Sequence, residues 1–402
     1  MALLPVEEAL ARVLADAAPL PSERVGLNDA WGRVLAADLE ARRTQPPAAV
    51  SAMDGYAVHA EDVAVAPARL RVVGEVAAGH PFDRPLAPGE AARIFTGGVM
   101  PAGADTVVMQ EVAERAGDAV TFSAVTAAGK NVRVAGLDFR AGEVLLGHGR
   151  RLTDRDLSLA AAMNHADVPV HRRAKVALLA TGDELVAPGS EPRPGQIVYS
   201  NGFALTALMR GEGAAVIDLG IVPDRLADTV AEVQRARQVG ADVLVTTGGA
   251  SVGDHDLLRP AMAAEGMAMS FWKVALRPGK PLMHGRLGPM QVLGLPGNPV
   301  SSYVGAYLFL IPLLRRLQGR NDLGPQIESA ALGTDLRAND ERADYLRAFL
   351  TISGGKLIAT PFPIQDSSMI RPLAKADCLV FREPYAAAAK AGSACSIIKL
   401  GL

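Results

Sequence analysis

The spacing of apolar residues changes along the chain, and each change predicts a different kind of structure. Residues 5–17 carry apolar side chains at every third or fourth position, which predicts an amphipathic helix. Residues 47–133 contain short β-prone segments broken by Gly and Pro, which predicts a β-rich module. A helix at 154–163 and an extended segment at 165–171 are predicted after it.

From residue 175 onward, apolar strands and amphipathic helices alternate. Strands are predicted at 176–180, 214–219, 242–247 and 291–295, and helices at 202–210, 225–238, 256–264 and 299–317. An extended pair through Phe271 and Leu282 lies within this alternation. Short connections between alternating strands and helices are typical of a three-layer α/β domain with a mainly parallel sheet. After about residue 320 short strands and Gly/Pro turns return, which predicts a small β domain.

Composition narrows the class of protein. The chain has 402 residues, more than one core usually holds, so several domains are expected. Its formal net charge is −2, which gives no general attraction to nucleic acid or to an anionic membrane. The N-terminal helix lacks the basic start of a signal peptide, and Cys378 and Cys395 have no metal-ligand spacing. These features predict a cytoplasmic protein with reduced thiols.

The junction GLPGNPVSS at residues 294–302 is the most informative part of the sequence. An apolar strand is followed by a Pro/Gly turn and then by a helix, with Asn298 predicted as the N-cap and Pro299 at the first helical position. The free backbone N–H groups of a helix start favour an anion. The junction therefore predicts an anion-binding site above the strand ends.

Similar junctions lie at residues 180–184 and 246–256. Because the carboxyl ends of parallel strands share one edge of a sheet, these loops are expected to form one crevice. The second loop has Walker-type glycine spacing, but Asp254 and His255 stand where a phosphate loop needs Lys and Ser or Thr. This excludes an ordinary nucleotide kinase or ATPase, and a dinucleotide oxidoreductase is unsupported because no GxGxxG motif follows a strand.

The acidic residues of these loops have two interpretations. Asp254 and Asp256 either cap a helix or bind Mg²⁺, and the pattern alone leaves both open. Their convergence with Asp183-Glu184 and with Asp224, beside the anion-binding turn, favours a metal–phosphate site. Asp224 is also the predicted cap of the helix that follows it.

The remaining polar groups have ordinary structural interpretations. The segment FWKVALRPGK at residues 271–280 contains three cations, which either are solvated or project into the crevice. Asp54-Gly55 predicts a hairpin turn, and residues 93–98 predict a strand end. The histidines are scattered and are interpreted as structural or surface groups. The tryptophans stand alone and form no stacking platform for nucleic acid.

Several long motifs together resemble one family. They are SAMDGYAV, RIFTGG with PAGADTVVMQE, NVRVAGLD, ATGDEL, TTGGASVGDHD, FWKVALRPGKP and GLPGNPVSS. They occur in the order of the family and cover the chain from about Pro5 to the C-terminus. On these motifs the chain is identified as a member of the molybdopterin molybdenumtransferase family, which includes the C-terminal domain of gephyrin.

The resemblance implies a domain organisation that periodicity does not reveal. The implied parts are a discontinuous helical domain at 1–43 and 138–173, an inserted β-rich domain at 44–137, an α/β molybdopterin-binding domain at 174–320 and a C-terminal β domain at 321–402. The α/β domain is related to the molybdopterin adenylyltransferase fold. The family forms an elongated homodimer, with the active site between one subunit's α/β domain and parts of the other subunit.

The activity implied is the Mg²⁺-dependent insertion of molybdate into adenylylated molybdopterin, with release of molybdenum cofactor and AMP. The catalytic residues carried over from the family are Asp54, Thr96, Asp138, Glu184, Asp256, Lys273, Arg277 and Lys280. The cofactor-binding residues are Gly248, Gly249, Ser251, Pro296, Gly297, Asn298, Pro299, Ser301, Arg347, Ser367 and Ser368, and the metal ligands are Glu184, Asp224 and Asp256. Transient contacts with molybdopterin adenylyltransferase and with molybdoenzyme maturation factors are also implied.

The chain departs from the family pattern at two places. Val134-Ala135 stands where the family often has arginines, which leaves Arg133 alone and puts an anion-binding role for that strand in doubt. Arg277 stands where Lys is common, and its guanidinium fork suits oxyanions. Two other functions stay open, namely the adenylylation of molybdopterin with ATP and a non-catalytic scaffold role like that of gephyrin. The separate β modules favour insertion.

Overall fold

The computed structural model of the chain describes residues 3–248 and 257–401. The N-terminal segment contains α1 (Val6–Ala15), β1 (Ser22–Gly26) and β2 (Leu39–Glu40). Helix α1 buries Ala9 and Val13, as the helical spacing predicts, although it ends at Ala15. Within the described ranges, no helix has the length and the apolar content that a membrane crossing requires.

The predicted β-rich module is present. Its strands are β3 (Val50–Ser51), β4 (Gly55–Val58), β5 (Ala68–Val76), β6 (Glu90–Ile94), β7 (Thr106–Met109), β8 (Ala113–Ala116), β9 (Ala119–Phe122) and β10 (Val132–Arg133). The main sheet has the order β7-β4-β6-β5-β9-β8, while β3 pairs with β10. The prediction of a hairpin turn at Asp54-Gly55 is wrong, because β3 and β4 belong to different sheets.

The chain then returns to the N-terminal segment. It forms β11 (Val144–Leu146), α2 (Asp154–Ala162) and β12 (Asp167–His171). Strand β12 pairs with β1, and β11 pairs with β2. Leu35 and Leu39 share one apolar core with Phe139 and Leu152. The segments on either side of the β-rich module therefore pack together.

The α/β region begins with β13 (Lys175–Thr181), β14 (Leu185–Val186), β15 (Ile197–Val198), α3 (Asn201–Gly211), β16 (Ala215–Val222), α4 (Leu226–Gln238) and β17 (Val243–Thr247). It continues with α5 (Leu258–Ala264), β18 (Ala268–Lys273), β19 (Leu276–Arg277), β20 (Pro281–Leu287), β21 (Met290–Leu295), α6 (Pro299–Gly305) and α7 (Ile311–Leu317). The sheet order is β16-β13-β17-β21-β20-β18. Strands β16, β13, β17 and β21 pair in parallel. Strand β20 is antiparallel to both of its neighbours, β21 and β18.

Helices cover both faces of this sheet. Side chains of α1, α3, α6 and α7 pack in the core on one face, and side chains of α4 and α5 pack in the core on the other. This confirms the three-layer α/β architecture. The helix predicted over 299–317 contains a wider π turn at Ala306–Leu310, just before Pro312, which has no N–H to donate within the helix.

Two predicted helix starts need correction. The N-cap position of α4 is Arg225, whose side chain makes no cap hydrogen bond, so the N-cap lies one residue after the predicted Asp224. Helix α5 begins at Leu258, two residues after the predicted start. Asp256, where the prediction began, lies outside the described residues.

The C-terminal region is a small β-barrel. Its elements are β22 (Ile327–Leu332), β23 (Ala343–Ser353), β24 (Lys356–Pro361), α8 (Ile370–Ala374), β25 (Cys378–Arg382) and β26 (Ala394–Lys399). The pairings run β23-β24-β22-β26-β25 and return to β23, which closes the barrel. The β domain was predicted, but its closure was not. Cys378 and Cys395 are both free thiols in this barrel, as predicted.

Residues 274–277 connect three parts of the chain. The backbone N–H of Ala275 donates to Leu4 O at 2.7 Å. On the barrel side, Ala343 N donates to Ala275 O at 2.9 Å, and β19 pairs in parallel with β23. One apolar core accordingly contains side chains from α1, from the α/β sheet and from the barrel.

Candidate active-site cleft

A cleft of about 580 Å³ lies at the carboxyl ends of the parallel strands. Thr181 at the end of β13, Gly248 after β17 and Gly297 after β21 all line it. The predicted convergence of the three junctions is therefore present in their described parts. Gly249, Ser251 and Asp256, which the resemblance assigns to the site, lie outside the described residues.

Glycine at position 248 allows two of these loops to approach each other closely. Gly248 has a φ of +88°, and a Cβ there would lie 2.3 Å from Thr181 O. A Cβ at Gly297 would lie 3.7 Å from Gly248 Cα, so the two loops are in van der Waals range. A side chain at residue 248 would be strained and would also collide with the strand beside it.

Asn298 occupies the N-cap position of α6, but it does not act as predicted. Its side chain makes no cap hydrogen bond, and Nδ2 instead donates to Ser367 Oγ at 3.0 Å. Asn201 Nδ2 donates to Gly297 O at 2.7 Å, which holds the turn from the other side. Pro296 and Pro299 line the cleft beside this turn, whereas Ser301 is buried in α6 and is not part of the described lining.

A loop of the barrel, residues 364–369, forms one wall of the site. Ser368 lines the cleft, and its hydroxyl donates to Asp366 Oδ1 at 2.6 Å. Ser367 O accepts from Val300 N at 3.0 Å, which joins the loop to α6. The loop therefore lies against the helix start in a defined position.

Arg347 holds this loop from within the barrel. The residue is 1% exposed, and its guanidinium donates to the carbonyl oxygens of Asp366 and Met369 at 2.9 Å and of Ile364 at 3.4 Å. Its Nε donates to Gln365 Oε1 at 3.3 Å. In this structure the donors of Arg347 are therefore occupied by the backbone of the loop, which the side chain holds in place. The expected contact of Arg347 with the cofactor stays a prediction.

One acidic side chain, that of Glu184, lines the cleft, and its loop contacts the backbone at Asp224. Asp183 Oδ1 accepts from Asp224 N at 3.1 Å. The loop after β13 thus meets the loop before α4, as predicted for the sheet edge. Within residues 3–248 and 257–401 no cluster of three or more His, Cys, Asp or Glu is arranged to hold a metal. The ligand set of Glu184, Asp224 and Asp256 stays a prediction, since Asp256 lies outside these ranges.

The cations of residues 273–280 have separate environments. Lys273 Nζ lies 4.7 Å from the centre of the Trp272 ring, and Lys280 is exposed. Arg277 forms ion pairs with Asp340 and, at 3.3 Å, with Asp344 Oδ1, both in the barrel region. In this structure the Arg277 guanidinium therefore pairs with carboxylates of the barrel region and does not extend unpaired into the crevice.

Asp54 and Thr96 form a second polar pair, located in the β-rich module. Asp54 Oδ1 accepts from Thr96 N at 2.7 Å and from Thr96 Oγ1 at 2.8 Å. These hydrogen bonds, the backbone one foremost, lower the pKa of Asp54. Asp138 is exposed, and its N–H donates to Gln45 O at 3.0 Å. The described lining of the cleft includes none of Asp54, Thr96 and Asp138.

Sequence reasoning missed Tyr199 as a cleft residue. Tyr199 is 8% exposed and lines the cleft together with Thr247. Burial raises the pKa of Tyr199. A Cβ at residue 202 would lie 2.1 Å from Tyr199 Oη, so Gly202 makes room for the phenol. The available signal was a Gly next to the predicted helix entry at Ser200-Asn201.

Two buried histidines have structural partners, in line with the interpretation from sequence. His165 Nε2 lies 2.9 Å from Glu40 O, and His284 Nε2 lies 3.0 Å from Gln291 Oε1. Burial lowers the pKa of His284, so its ring is neutral near pH 7.

The chain is similar to known proteins along nearly its full length. Family models described as MoeA N-terminal region (domain I and II), probable molybdopterin binding domain and MoeA C-terminal region (domain IV) match residues 4–164, 177–316 and 329–400. A molybdopterin molybdenumtransferase of Haemophilus influenzae is 35% identical over 382 residues, 94% of each chain. One from Nostoc is 38% identical over 83% of this chain and 78% of its own. A crystal structure of a molybdopterin biosynthesis MoeA protein from Pyrococcus horikoshii superposes with a TM-score of 0.86 at 30% identity, covering 100% of both chains.

Proposed function

The chain belongs to the molybdopterin molybdenumtransferase family, and we propose that it inserts molybdate into adenylylated molybdopterin in a Mg²⁺-dependent reaction that releases AMP. The observation that carries the proposal is the cleft of about 580 Å³ at the carboxyl ends of the strands, in a chain similar to these transferases over most of its length. The cleft brings together backbone turns and hydroxyl groups, which can bind phosphate, and a carboxylate, which can bind the metal ion.

The phosphates of adenylylated molybdopterin would lie against the turns at Gly248 and Gly297. Gly248 has no room for a Cβ beside Thr181 O, and the Gly297 turn lies within van der Waals range of it, so the two backbones are exposed to a ligand without an intervening side chain at residue 248. Molybdate is a tetrahedral dianion, so cationic and hydroxyl donors must hold it. Lys273 and Lys280 are the candidates for this second substrate, since the Ser368 hydroxyl already donates to Asp366.

Glu184 is the described carboxylate that would contact Mg²⁺. Its side chain lines the cleft, and oxygen ligands are those that Mg²⁺ prefers. A Cβ at Gly182 would lie 2.6 Å from the Glu184 carboxylate, so glycine there leaves space for that carboxylate. When bound, the ion would neutralise the pyrophosphate charge that opposes hydrolysis. Among the described residues, Glu184 is therefore the carboxylate that supports the proposed magnesium site.

We further propose a homodimer in which Asp54, Thr96 and Asp138 act at the partner subunit's cleft. The support is their position, because the described lining of the cleft in one chain includes none of them. Sedimentation tests the assembly, since a single species near the 41.9 kDa of one chain at micromolar concentration would contradict it.

A mixing experiment tests the shared site directly. Asp54→Asn and Glu184→Gln would each abolish both sites of a homodimer, but a mixed dimer would contain one site with neither substitution. Co-folding equal amounts should therefore restore about a quarter of the wild-type activity, since about half of the dimers are mixed. If the mixture stays as inactive as its components, the two residues serve the same cleft.

The assay for the activity compares two substrate sets. With adenylylated molybdopterin, molybdate and Mg²⁺, the chain should release AMP, whereas ATP with molybdopterin should yield no adenylylated product. The reverse result would indicate an adenylyltransferase, and no turnover in either would favour a scaffold role. We also propose that the enzyme is cytoplasmic. It would make transient contacts with the adenylyltransferase and with molybdoenzyme maturation factors.

A further inference from the structure

We propose that Thr181 is a further substrate-binding residue of the cleft, whose hydroxyl donates a hydrogen bond to a phosphate oxygen of the bound substrate. The inference rests on the proposed function, because that function places a phosphorylated ligand in this cleft. It adds a residue that the resemblance does not assign to the site.

Thr181 presents an unused hydroxyl at the floor of the cleft. It is the last residue of β13, it lines the cleft, and it is 5% exposed. Among the described residues, Oγ1 has no hydrogen-bond partner. Burying a hydroxyl without a partner costs about 1–3 kcal/mol, so such a group at a binding site points to a ligand that satisfies it.

Neutral donors are what this cleft offers to a phosphate. None of its described lining residues is Lys, Arg or His, and the charged side chain among them is Glu184. Apart from the proposed Mg²⁺, the donors that the described lining offers to phosphate oxygens are therefore hydroxyl, amide and backbone N–H groups. A hydroxyl that donates to an anionic oxygen makes a charge-assisted hydrogen bond, which is stronger than a neutral one.

A second hydroxyl of the cleft, that of Ser368, is already engaged. Ser368 is exposed, and its Oγ donates to Asp366 Oδ1 at 2.6 Å. Thr181 lies beside the Gly248 turn, since its Oγ1 is 3.2 Å from the position of a Cβ on that glycine. This puts a free donor next to the backbone turn proposed to hold the phosphates.

Thr246 provides a matched control on the neighbouring strand. It is fully buried and its Oγ1 also lacks a partner among the described residues, but it does not line the cleft. Its hydroxyl faces the core, 3.3 Å from the position of a Cβ on Gly294. The two threonines therefore differ in access to the ligand while sharing burial and an unpartnered hydroxyl.

The test measures ligand binding and turnover separately. Thr181→Val removes the hydroxyl at nearly constant shape, and Thr181→Ser keeps it. Binding of adenylylated molybdopterin is measured by titration without molybdate, and AMP release is then measured with molybdate and Mg²⁺. We expect Thr181→Val to weaken binding and raise KM about tenfold or more, the loss typical of one hydrogen bond to a charged group. Thr181→Ser should stay within about threefold of wild type.

Stability separates a binding role from a structural one. Thr181→Val and Thr246→Val should both melt no lower than wild type, because each removes an unsatisfied hydroxyl. If Thr181→Val fails to fold, Thr181→Ala takes its place in the same titration. Wild-type affinity in Thr181→Val or Thr181→Ala, or an equal loss in Thr246→Val, would overturn the inference. Failure of the wild-type protein itself to release AMP would instead count against the proposed function.

Discussion

One oxygen of Asp54, Oδ1, accepts hydrogen bonds from both the backbone N–H and the hydroxyl of Thr96, at 2.7 and 2.8 Å. The two residues are 42 positions apart in sequence, so this pair unites the motifs SAMDGYAV and RIFTGG. Both bonds favour the charged form and lower the pKa of Asp54. The carboxylate is therefore ionised throughout the neutral range and is not the group whose protonation would shape activity between pH 6 and 8.

Replacing Asp54 with Asn should separate charge from structure. An amide oxygen can still accept from Thr96, so melting should stay near wild type, while AMP release should fall about a hundredfold or more, as when a positioned acid–base group is removed. Asp62→Asn is the control, since Asp62 Oδ2 also accepts a backbone N–H, from Gly89, within the same module. Full activity in the Asp54 variant would show that this residue has only a structural role.

Glu184→Gln should weaken the response to Mg²⁺. We expect the half-saturating Mg²⁺ concentration for AMP release to rise about tenfold or more, an effect seen even for groups that only support a metal ligand. The protein without metal should be as stable as wild type, or slightly more stable, because a carboxylate at a crowded acidic edge is gone. Asp228→Asn, in the first turn of α4, serves as the charge control. An unchanged Mg²⁺ titration would reject the metal site.

Arg347→Met should destabilise the barrel and weaken substrate binding together. The substitution leaves several loop carbonyls without their donor, and hydrogen bonds to a charged group are worth about 1.5–3 kcal/mol, so a loss of about 3 kcal/mol in the free energy of unfolding is expected. KM should rise because Ser368 lies on the released loop. Arg382→Met is the comparison, since Arg382 also donates to barrel carbonyls. If both variants change KM alike, the effect belongs to the barrel as a whole.

Glu212 anchors the helix α3 to the connection between the α/β region and the barrel. Its carboxylate is fully buried and pairs with Arg315 at 2.7 Å and with Arg320 at 2.6 Å. Glu212→Gln should lower the free energy of unfolding by about 3 kcal/mol, because it leaves the half-buried Arg315 without its carboxylate and the buried Arg320 with Asp322 alone. Glu232→Gln removes a more exposed pair on α4 and should cost less than about 1 kcal/mol. Chemical denaturation of both variants gives the comparison.

Glu90 should contribute acid-sensitive stability. Arg84 foremost, then the Ala87 N–H and Arg71, lower the pKa of Glu90 from 4.5 to about 2. A carboxyl with a depressed pKa in the folded state stabilises the protein fully above pH 4.5 and loses that contribution as the pH falls toward 2. Glu90→Gln should therefore lower the melting temperature at pH 7 and lower it less at pH 3. Glu114→Gln, an exposed change in the same sheet, should have no such pH-dependent effect.

The α/β architecture could be predicted because its signal is local. All five residues of β17 are buried, so the strand is a continuous apolar run of the kind that parallel sheets require. Closure of the barrel was not predictable in this way. It depends on pairing β23 with both β24 and β25, and periodicity within each strand does not specify its partners.

In the site, too, local features could be predicted from the sequence, whereas contacts between distant segments could not. The Pro-Gly-Asn-Pro turn was located from its residues, but the partner of Asn298 was not, because Ser367 lies 69 positions away in the barrel loop. The hydrogen bonds of Arg347 to the loop of residues 364–369 could not be predicted for the same reason, because the sequence does not show which backbone the side chain meets. Thr181 was passed over because a β-branched residue at a strand end is ordinary. Its missing partner is visible only in three dimensions.

The position of residues 274–277 between Leu4 and β23 constrains how parts of this protein can be exchanged with those of a relative. A chimaera that joins this α/β region to a foreign barrel must match the hydrogen bonds on both sides of Ala275 and the shared core behind them. A crossover placed at residue 320 would separate side chains that pack together, such as Leu276 and Tyr345. The N-terminal helix, the sheet and the barrel are therefore inherited best as one block, whereas the β-rich insert, with its own cores, can diverge more freely.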